Sequence, residues 1–183
     1  MATPDGKFSV APSLTTDRLI LRALRAEDID TLSVLWADPD VTRFIGGHAL
    51  SREDTWRKAL TASALWPVVG YGYWIAERKD DGRLVGQLGF ADFKRDMTPS
   101  IEGEPELGYV FAPDVHGTGI AREACQAAVE WADANLAHPT YAAIISPDNA
   151  PSIRLAEKLG FERQPDANYR GDVIGLFRRS RSG

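Results

Sequence analysis

Cysteine is almost absent: Cys125 is the only one in 183 residues. A lone thiol closes no disulfide within the chain, supplies no metal-ligand spacing and suits a reducing compartment. Histidine is nearly as sparse, and His48, His116 and His138 lie far apart without local ligand partners, so no metal is expected. Basic clusters are missing except for Arg178, Arg179 and Arg181, which read as a solvated tail. With a formal net charge of −5, the chain has no electrostatic footprint for nucleic acid. No apolar run reaches the length of a membrane span, and Met1-Ala2-Thr3-Pro4-Asp5-Gly6 carries no basic and apolar leader pattern, so a soluble, cytoplasmic protein with no membrane partner is expected. Internal repeats and low-complexity tracts are lacking too. At 183 residues with 44% apolar composition, the chain suits one packed domain and is short for two.

What is present is concentrated between Glu106 and Ala124. Glu106 to Phe111 reads as a strand that breaks at Pro113, crosses a loop bearing Gly117 and Gly119, and runs into an amphipathic helix. A helix N-terminus offers free N–H groups and the positive end of the macrodipole, and glycines let the backbone approach an anion closely. The segment is therefore a seat for a phosphate or pyrophosphate. It lacks the Lys and Ser/Thr of a P-loop, offering Ile120 and Ala121 instead, which argues against nucleotide hydrolysis. It also lacks the third glycine and the chain-leading position of a dinucleotide fingerprint.

Elsewhere, residues 1–13 are polar and proline-broken and read as a poorly ordered lead-in to a domain spanning 14–183. A strand is expected over 18–24, a helix over 27–37, and a second helix from the capping-box-like Ser51-Arg52-Glu53-Asp54 to about Ala64. Residues 73–77 and 84–90 predict a hairpin, followed by a polar connection over 94–103. The helix after the glycine loop should end near Ala137, with Cys125 on its buried stripe beside Ala121, Ala124, Ala128 and Ala132. Strands over 141–145 and 173–178 and a helix over 150–159, closed by Gly160, complete the pattern.

The run His116-Gly117-Thr118-Gly119-Ile120-Ala121 resembles motif A of the GNAT N-acetyltransferase superfamily, with His116 in place of the usual Gln or Arg. Asn149-Ala150-Pro151-Ser152, closing on Lys158-Leu159-Gly160-Phe161, is similar to that superfamily's later segment. Leu14-Thr15-Thr16-Asp17-Arg18-Leu19-Ile20-Leu21-Arg22 resembles the opening of the RimJ/RimL-type branch. These resemblances imply a mixed α/β fold: a twisted sheet of about seven strands, largely antiparallel, parallel at a central splay, with helices on both faces. They imply acetyl transfer from acetyl-CoA to a primary amine, either a protein N-terminus or a small amine. Many relatives are dimers, so a homodimer is an open expectation.

The resemblance also distributes roles. His116, Gly117, Thr118, Gly119, Ile120, Ala121 and Arg122 would hold the pyrophosphate, and the main chain of Tyr109, Val110 and Phe111 would pair with the pantetheine amides. Gly108 would permit a bulge that opens the splay. Asn149 serves either as an N-cap or as a pantetheine contact, and the two roles are compatible. Phe44 sits either in a packed connection or in the acceptor site. Glu106 is the candidate base, against the alternative of a strand-end carboxylate that is solvated or paired with an arginine. The tyrosine that many members use as acid is missing, since Leu155 and Ala156 occupy that turn, which leaves Ser152 or water; Tyr169 is a weaker candidate. No nucleophile stands beside a base, so direct transfer in a ternary complex is expected; the alternative is a noncatalytic acyl-CoA-binding module.

Overall fold

The computed structural model describes residues 8–182. Its elements run β1 (Leu14–Thr15), β2 (Leu19–Arg22), α1 (Ile29–Ala37), α2 (Pro39–Thr42), α3 (Arg52–Val69), β3 (Tyr73–Arg78), β4 (Leu84–Ala91), β5 (Met97–Thr98) and β6 (Glu106–Phe111). Then come α4 (Ile120–Asn135), β7 (Thr140–Ile145), α5 (Ala150–Lys158), β8 (Glu162–Arg163), β9 (Ala167–Tyr169) and β10 (Asp172–Ser180). The strands form one open sheet in the order β1-β2-β3-β4-β6-β7-β10-β9-β5, with β8 also on β10. Ten strands replace the expected seven because β1, β5, β8 and β9 are each only two or three residues long.

All neighbours in the sheet are antiparallel except β6 and β7. Those two are parallel and pair only at Glu106↔Ala142. Beyond that point β6 continues to Phe111 and β7 to Ile145 without pairing, which is the central splay. The β4–β6 register runs unbroken from Ala91↔Glu106 to Gly86↔Phe111, so the expected bulge at Gly108 is not present on this side. Among the described residues, a register shift lies between Ala76 and Glu77 in the β3–β4 pair.

Side-chain alternation divides the core. Leu88, Phe90, Leu107 and Phe111 pack with Ala124, Cys125, Ala128 and Ala132 of α4, whose small stripe lets the helix sit close to the sheet. Ile75 and Val110 face the other way, against Leu32, Leu35 and Trp36 of α1 and Ala59 of α3. Trp66, Trp74 and Trp131 meet edge to face with centroids 4.8 to 5.2 Å apart and pin α3 and α4 to the sheet. This contact explains why α3 runs past Ala64: Trp66 is buried, its indole N–H donates to the Tyr73 carbonyl at 3.1 Å, and the helix stops only at left-handed Gly70.

The lead-in needs correction in its described part. Phe8 packs on Trp66 and Trp131, Ala11 is buried, and the Pro12 carbonyl accepts the Trp74 indole N–H at 2.8 Å. Residues 1–7 of that expectation lie outside the described residues. Arg22 is spent on architecture: it forks onto both Asp28 oxygens at 2.8 Å and donates to Glu77 at 2.6 Å, tying β2 to β3 and the turn before α1.

Candidate active site

After β6, a 3-10 turn over Pro113–Val115 buries Val115, and the bidentate pair of Arg83 with Asp114, at 2.6 and 2.7 Å, clamps it to the β3–β4 hairpin. Gly117 and Gly119 then take left-handed φ values of 76° and 84°, which only glycine adopts cheaply. The first helical bond of α4 runs from Glu123 N–H to the Gly119 carbonyl. The N–H groups of Gly117, Gly119, Ile120, Ala121 and Arg122 have no acceptor among the described residues, and the Arg122 guanidinium is exposed without an ion pair. Five donors, a helix N-terminus and a free cation fit the pyrophosphate of a CoA ester.

The loop's side chains do other work. His116 Nε2 donates to the Phe111 carbonyl at 3.1 Å, and the His116 N–H donates to Pro113, so this residue braces the end of β6. Thr118 Oγ1 donates to the Val115 carbonyl at 2.6 Å. Ile120 is buried and Ala121 half-buried, which leaves their backbone N–H groups as what they offer.

Across the splay, Asn149 caps α5, its Oδ1 accepting the Ser152 N–H at 3.3 Å. The Ser152 carbonyl accepts the Tyr109 hydroxyl at 3.1 Å, joining β6 to the first turn of α5. The Ser152 hydroxyl itself is half-buried and makes no hydrogen bond among the described residues. Burial pushes the Tyr109 phenol well above its ordinary pKa, so it stays protonated. Val110 and Phe111 are buried, on opposite faces of β6.

On the α1/α3 face, Glu106 is 5% exposed and grips Arg95: its two oxygens accept from Nε at 2.5 Å and from the second terminal nitrogen at 2.8 Å. The remaining Arg95 nitrogen donates to the Tyr169 hydroxyl at 2.9 Å. Burial works against the Arg95 charge, but the Glu106 bonds outweigh it and raise the guanidinium pKa. The arginine-paired alternative for Glu106 is the one realised. With both oxygens bonded to Arg95, a proton arriving directly or through water must use a remaining lone pair, and the neutral carboxyl would hold Arg95 less tightly.

Two residues along β6, Gly108 has a close neighbour that accounts for its missing side chain. A Cβ there would stand 1.9 Å from the Tyr73 hydroxyl, which overhangs the strand and makes no hydrogen bond among the described residues. Phe93 meets the Tyr73 ring edge-on at 6.3 Å and lines a cleft of about 700 Å³ with Lys58, Arg95, Met97, Tyr169 and Arg170. Phe44 is not among its lining residues; it sits after α2 with the Arg43 guanidinium 4.4 Å over its ring. Lys58 stacks on Trp36 at 4.7 Å, and its partial burial, with the like charge of Arg95, lowers its pKa.

Residues 18–162 match the family model described as Acetyltransferase (GNAT) domain. The chain belongs to the GNAT acetyltransferase family. It is 35% identical over 175 residues to the Bacillus subtilis (strain 168) protein YkkB, covering 91% of this chain and 94% of that one. It is 29% identical over 154 residues to the N-acetyltransferase YoaA of the same organism, covering 84% of each. A putative GnaT-family acetyltransferase from Bordetella pertussis superposes with a TM-score of 0.81 at 26% identity, covering 93% of this chain and all of that one. The protein is an N-acetyltransferase, and acetyl-CoA is the donor this family uses.

The sequence pointed to the glycine loop, Asn149 and Ser152 as candidates. It gave no sign of the contacts made by Arg95, Tyr73 and Arg18. Arg95 lies 11 residues before Glu106 in a connection with no periodicity, and Arg18 lies 105 residues before Glu123, the loop-side carboxylate it binds. Tyr73 showed only as a strand residue. The one available signal was Gly108, whose missing side chain implied a close neighbour.

Proposed function

We propose that this acetyltransferase moves the acetyl group of acetyl-CoA directly to a primary amine in a ternary complex, the amine being a protein N-terminal α-amine or a small molecule. The observation that carries this is the conjunction of five unclaimed N–H donors at the start of α4 with the parting of β6 from β7 after Glu106. The loop from Gly117 to Arg122 would hold the pyrophosphate, and the unpaired edge of β6 at Tyr109, Val110 and Phe111 would hold the pantetheine amides with Asn149. When bound, the donor supplies an activated thioester. The chain's own groups then orient the amine and move its proton.

The amine enters through the cleft, and Tyr73, which meets the cleft-lining Phe93 and overhangs Gly108, hydrogen-bonds its nitrogen. Glu106, held by Arg95, accepts the amine proton through water. The Ser152 hydroxyl, free of other bonds, supplies a proton to the departing sulfur. Cys125 takes no part, because it is fully buried and burial raises its pKa far above neutrality. The resemblance of Leu14 to Arg22 favours the RimJ/RimL-type branch, the single cysteine suits the cytoplasm, and a homodimer follows the habit of many relatives.

Calorimetry with acetyl-CoA, followed by thiol release and product mass over a panel of α-amines and polyamines, tests the proposal. Tight binding with turnover on some primary amine is expected. Binding without turnover on every acceptor would refute it.

A further inference from the structure

The opening segment, whose pattern resembles the RimJ/RimL-type branch, reaches the glycine loop. Arg18 donates through one terminal nitrogen to the Thr118 carbonyl at 2.9 Å and through Nε to Glu123 at 2.6 Å. The Arg18 N–H and the Thr16 hydroxyl bind the other Glu123 oxygen at 2.8 and 2.5 Å. Lys79 holds the segment from behind, its N–H donating to the Arg18 carbonyl at 2.9 Å and its ammonium group to the Thr16 and Asp17 carbonyls. Burial alone would raise the Glu123 pKa, but the bonds from Thr16 and Arg18 outweigh it and hold the carboxyl below its usual value.

In a trans peptide the carbonyl and the following N–H point in opposite directions. Pinning the Thr118 carbonyl to Arg18 therefore aims the Gly119 N–H away from Arg18, and that N–H is one of the five donors without an acceptor. Glu123, in the first turn of α4, would repel an anion if its charge were not met by Arg18. We propose that Arg18 is a positioning residue for the donor: with Glu123 and Thr16 it fixes the peptide planes of the Gly117–Gly119 loop so that their N–H groups converge on the pyrophosphate. The proposal rests on the pyrophosphate seat above. It differs from a direct contact in which Arg18 would itself ligate phosphate.

Calorimetry on the full-length protein separates the two. Arg18→Met should weaken acetyl-CoA about 5- to 30-fold, the scale of one or two hydrogen bonds. Arg18→Lys should restore little, since an ammonium lacks the fork that holds Thr118 and Glu123 together. Glu123→Gln decides the matter by sign: positioning predicts weaker binding, whereas direct ligation predicts tighter binding because a negative charge goes and Arg18 is released. The double variant should lose no more than the worse single one. With S-acetylpantetheine, which lacks the pyrophosphate, kcat/KM should be unchanged in all variants, whereas a general folding defect would lower it. Tighter binding by Glu123→Gln, or wild-type affinity in Arg18→Met, overturns the proposal. Failure of the wild type to bind acetyl-CoA would overturn the pyrophosphate seat itself.

Discussion

Replacing Glu106 by Gln separates a base from an architectural ion pair. The carboxylate accepts two guanidinium bonds at 2.5 and 2.8 Å, with side-chain exposures of 6% for Glu106 and 20% for Arg95. Glutamine keeps one acceptor and turns an NH2 group toward a donor, so one bond and the charge attraction are lost. Breaking a buried pair costs about 3–5 kcal/mol. Here Arg95 keeps its Tyr169 bond and some solvent, which reduces the cost to about 2–3 kcal/mol. For a chain of this size that lowers Tm by roughly 4–12 °C. Arg95→Gln breaks the same pair at similar cost but leaves the carboxylate in place. If Glu106 takes the amine proton through water, Glu106→Gln should lose about 10²- to 10⁴-fold in kcat while Arg95→Gln loses far less. Acetyl-CoA affinity should hold in both, and the Glu106→Gln rate should partly recover at high pH as the amine deprotonates unaided. Thiol release at saturating substrates, measured from neutral to alkaline pH, reads this directly. Equal loss of kcat in the two variants would reduce Glu106 to the anchor of Arg95.

Tyr73→Phe removes the hydroxyl over Gly108 and should lower kcat/KM for the amine about tenfold or more with little change in acetyl-CoA affinity; Gly108→Ala, which displaces that hydroxyl, should add little in the Tyr73→Phe background. Additive losses would mean that the methyl acts on its own. Ser152→Ala should leave stability within about 0.5 kcal/mol, because Asn149 and not the serine hydroxyl caps α5, while kcat falls; unchanged kcat with thiol release rate-limiting would pass that proton to water. Asp133 carries a bidentate bond from Arg179 at 2.8 and 2.7 Å; burial alone would raise its pKa, but this pairing outweighs it and holds the carboxyl below its ordinary value. A depressed folded pKa stabilises above the unfolded value and loses that contribution as pH falls through the folded one. Asp133→Asn should therefore cost about 1–2 kcal/mol at neutral pH and progressively less below about pH 4, as shown by urea unfolding at several pH values. A cost independent of pH would refute the pairing.

The candidate site was legible where it is built from backbone and illegible where it is built from distant side chains. Gly117 and Gly119 announced a left-handed loop, the candidate anion seat, because few side chains tolerate that backbone, and Asn149 announced a helix start through its capping chemistry. His116 was legible as a motif position but not as a brace, since its bond to the Phe111 carbonyl depends on how the chain turns at Pro113. The Arg95–Glu106 and Arg18–Glu123 pairs join segments that only the sheet brings together. The short strands β5, β8 and β9 leave no periodicity to read, as their pairing is imposed by β10 and its neighbours. Ala11 and Phe8 escaped notice because isolated apolar residues in a polar segment look like a solvated arm until Trp66 and Trp131 are in place.

The proton for the leaving sulfur follows from which hydroxyls are already committed. Leu155 and Ala156 stand where many family members carry an acidic tyrosine, and Tyr109, the nearest phenol on the strand, is not a free replacement. Its hydrogen is donated to the Ser152 carbonyl, and giving it up would break the link between β6 and α5 while ionising a phenol whose burial strongly opposes that charge. Tyr169 accepts from Arg95, which leaves its own hydrogen uncommitted, but it lies with Arg95 and Glu106 on the side of the sheet opposite Tyr109. Ser152 is different: its N–H and carbonyl are fixed by Asn149 and Tyr109, so the residue is held rigidly, while its hydroxyl can rotate toward a developing thiolate without breaking any existing bond. A serine hydroxyl is a weak acid, so its service is to stabilise the charge by hydrogen bonding and to relay a proton from solvent. In the proposed mechanism, amine activation at Glu106 and thiol release at the first turn of α5 lie on different elements, so the two proton movements need not share a group.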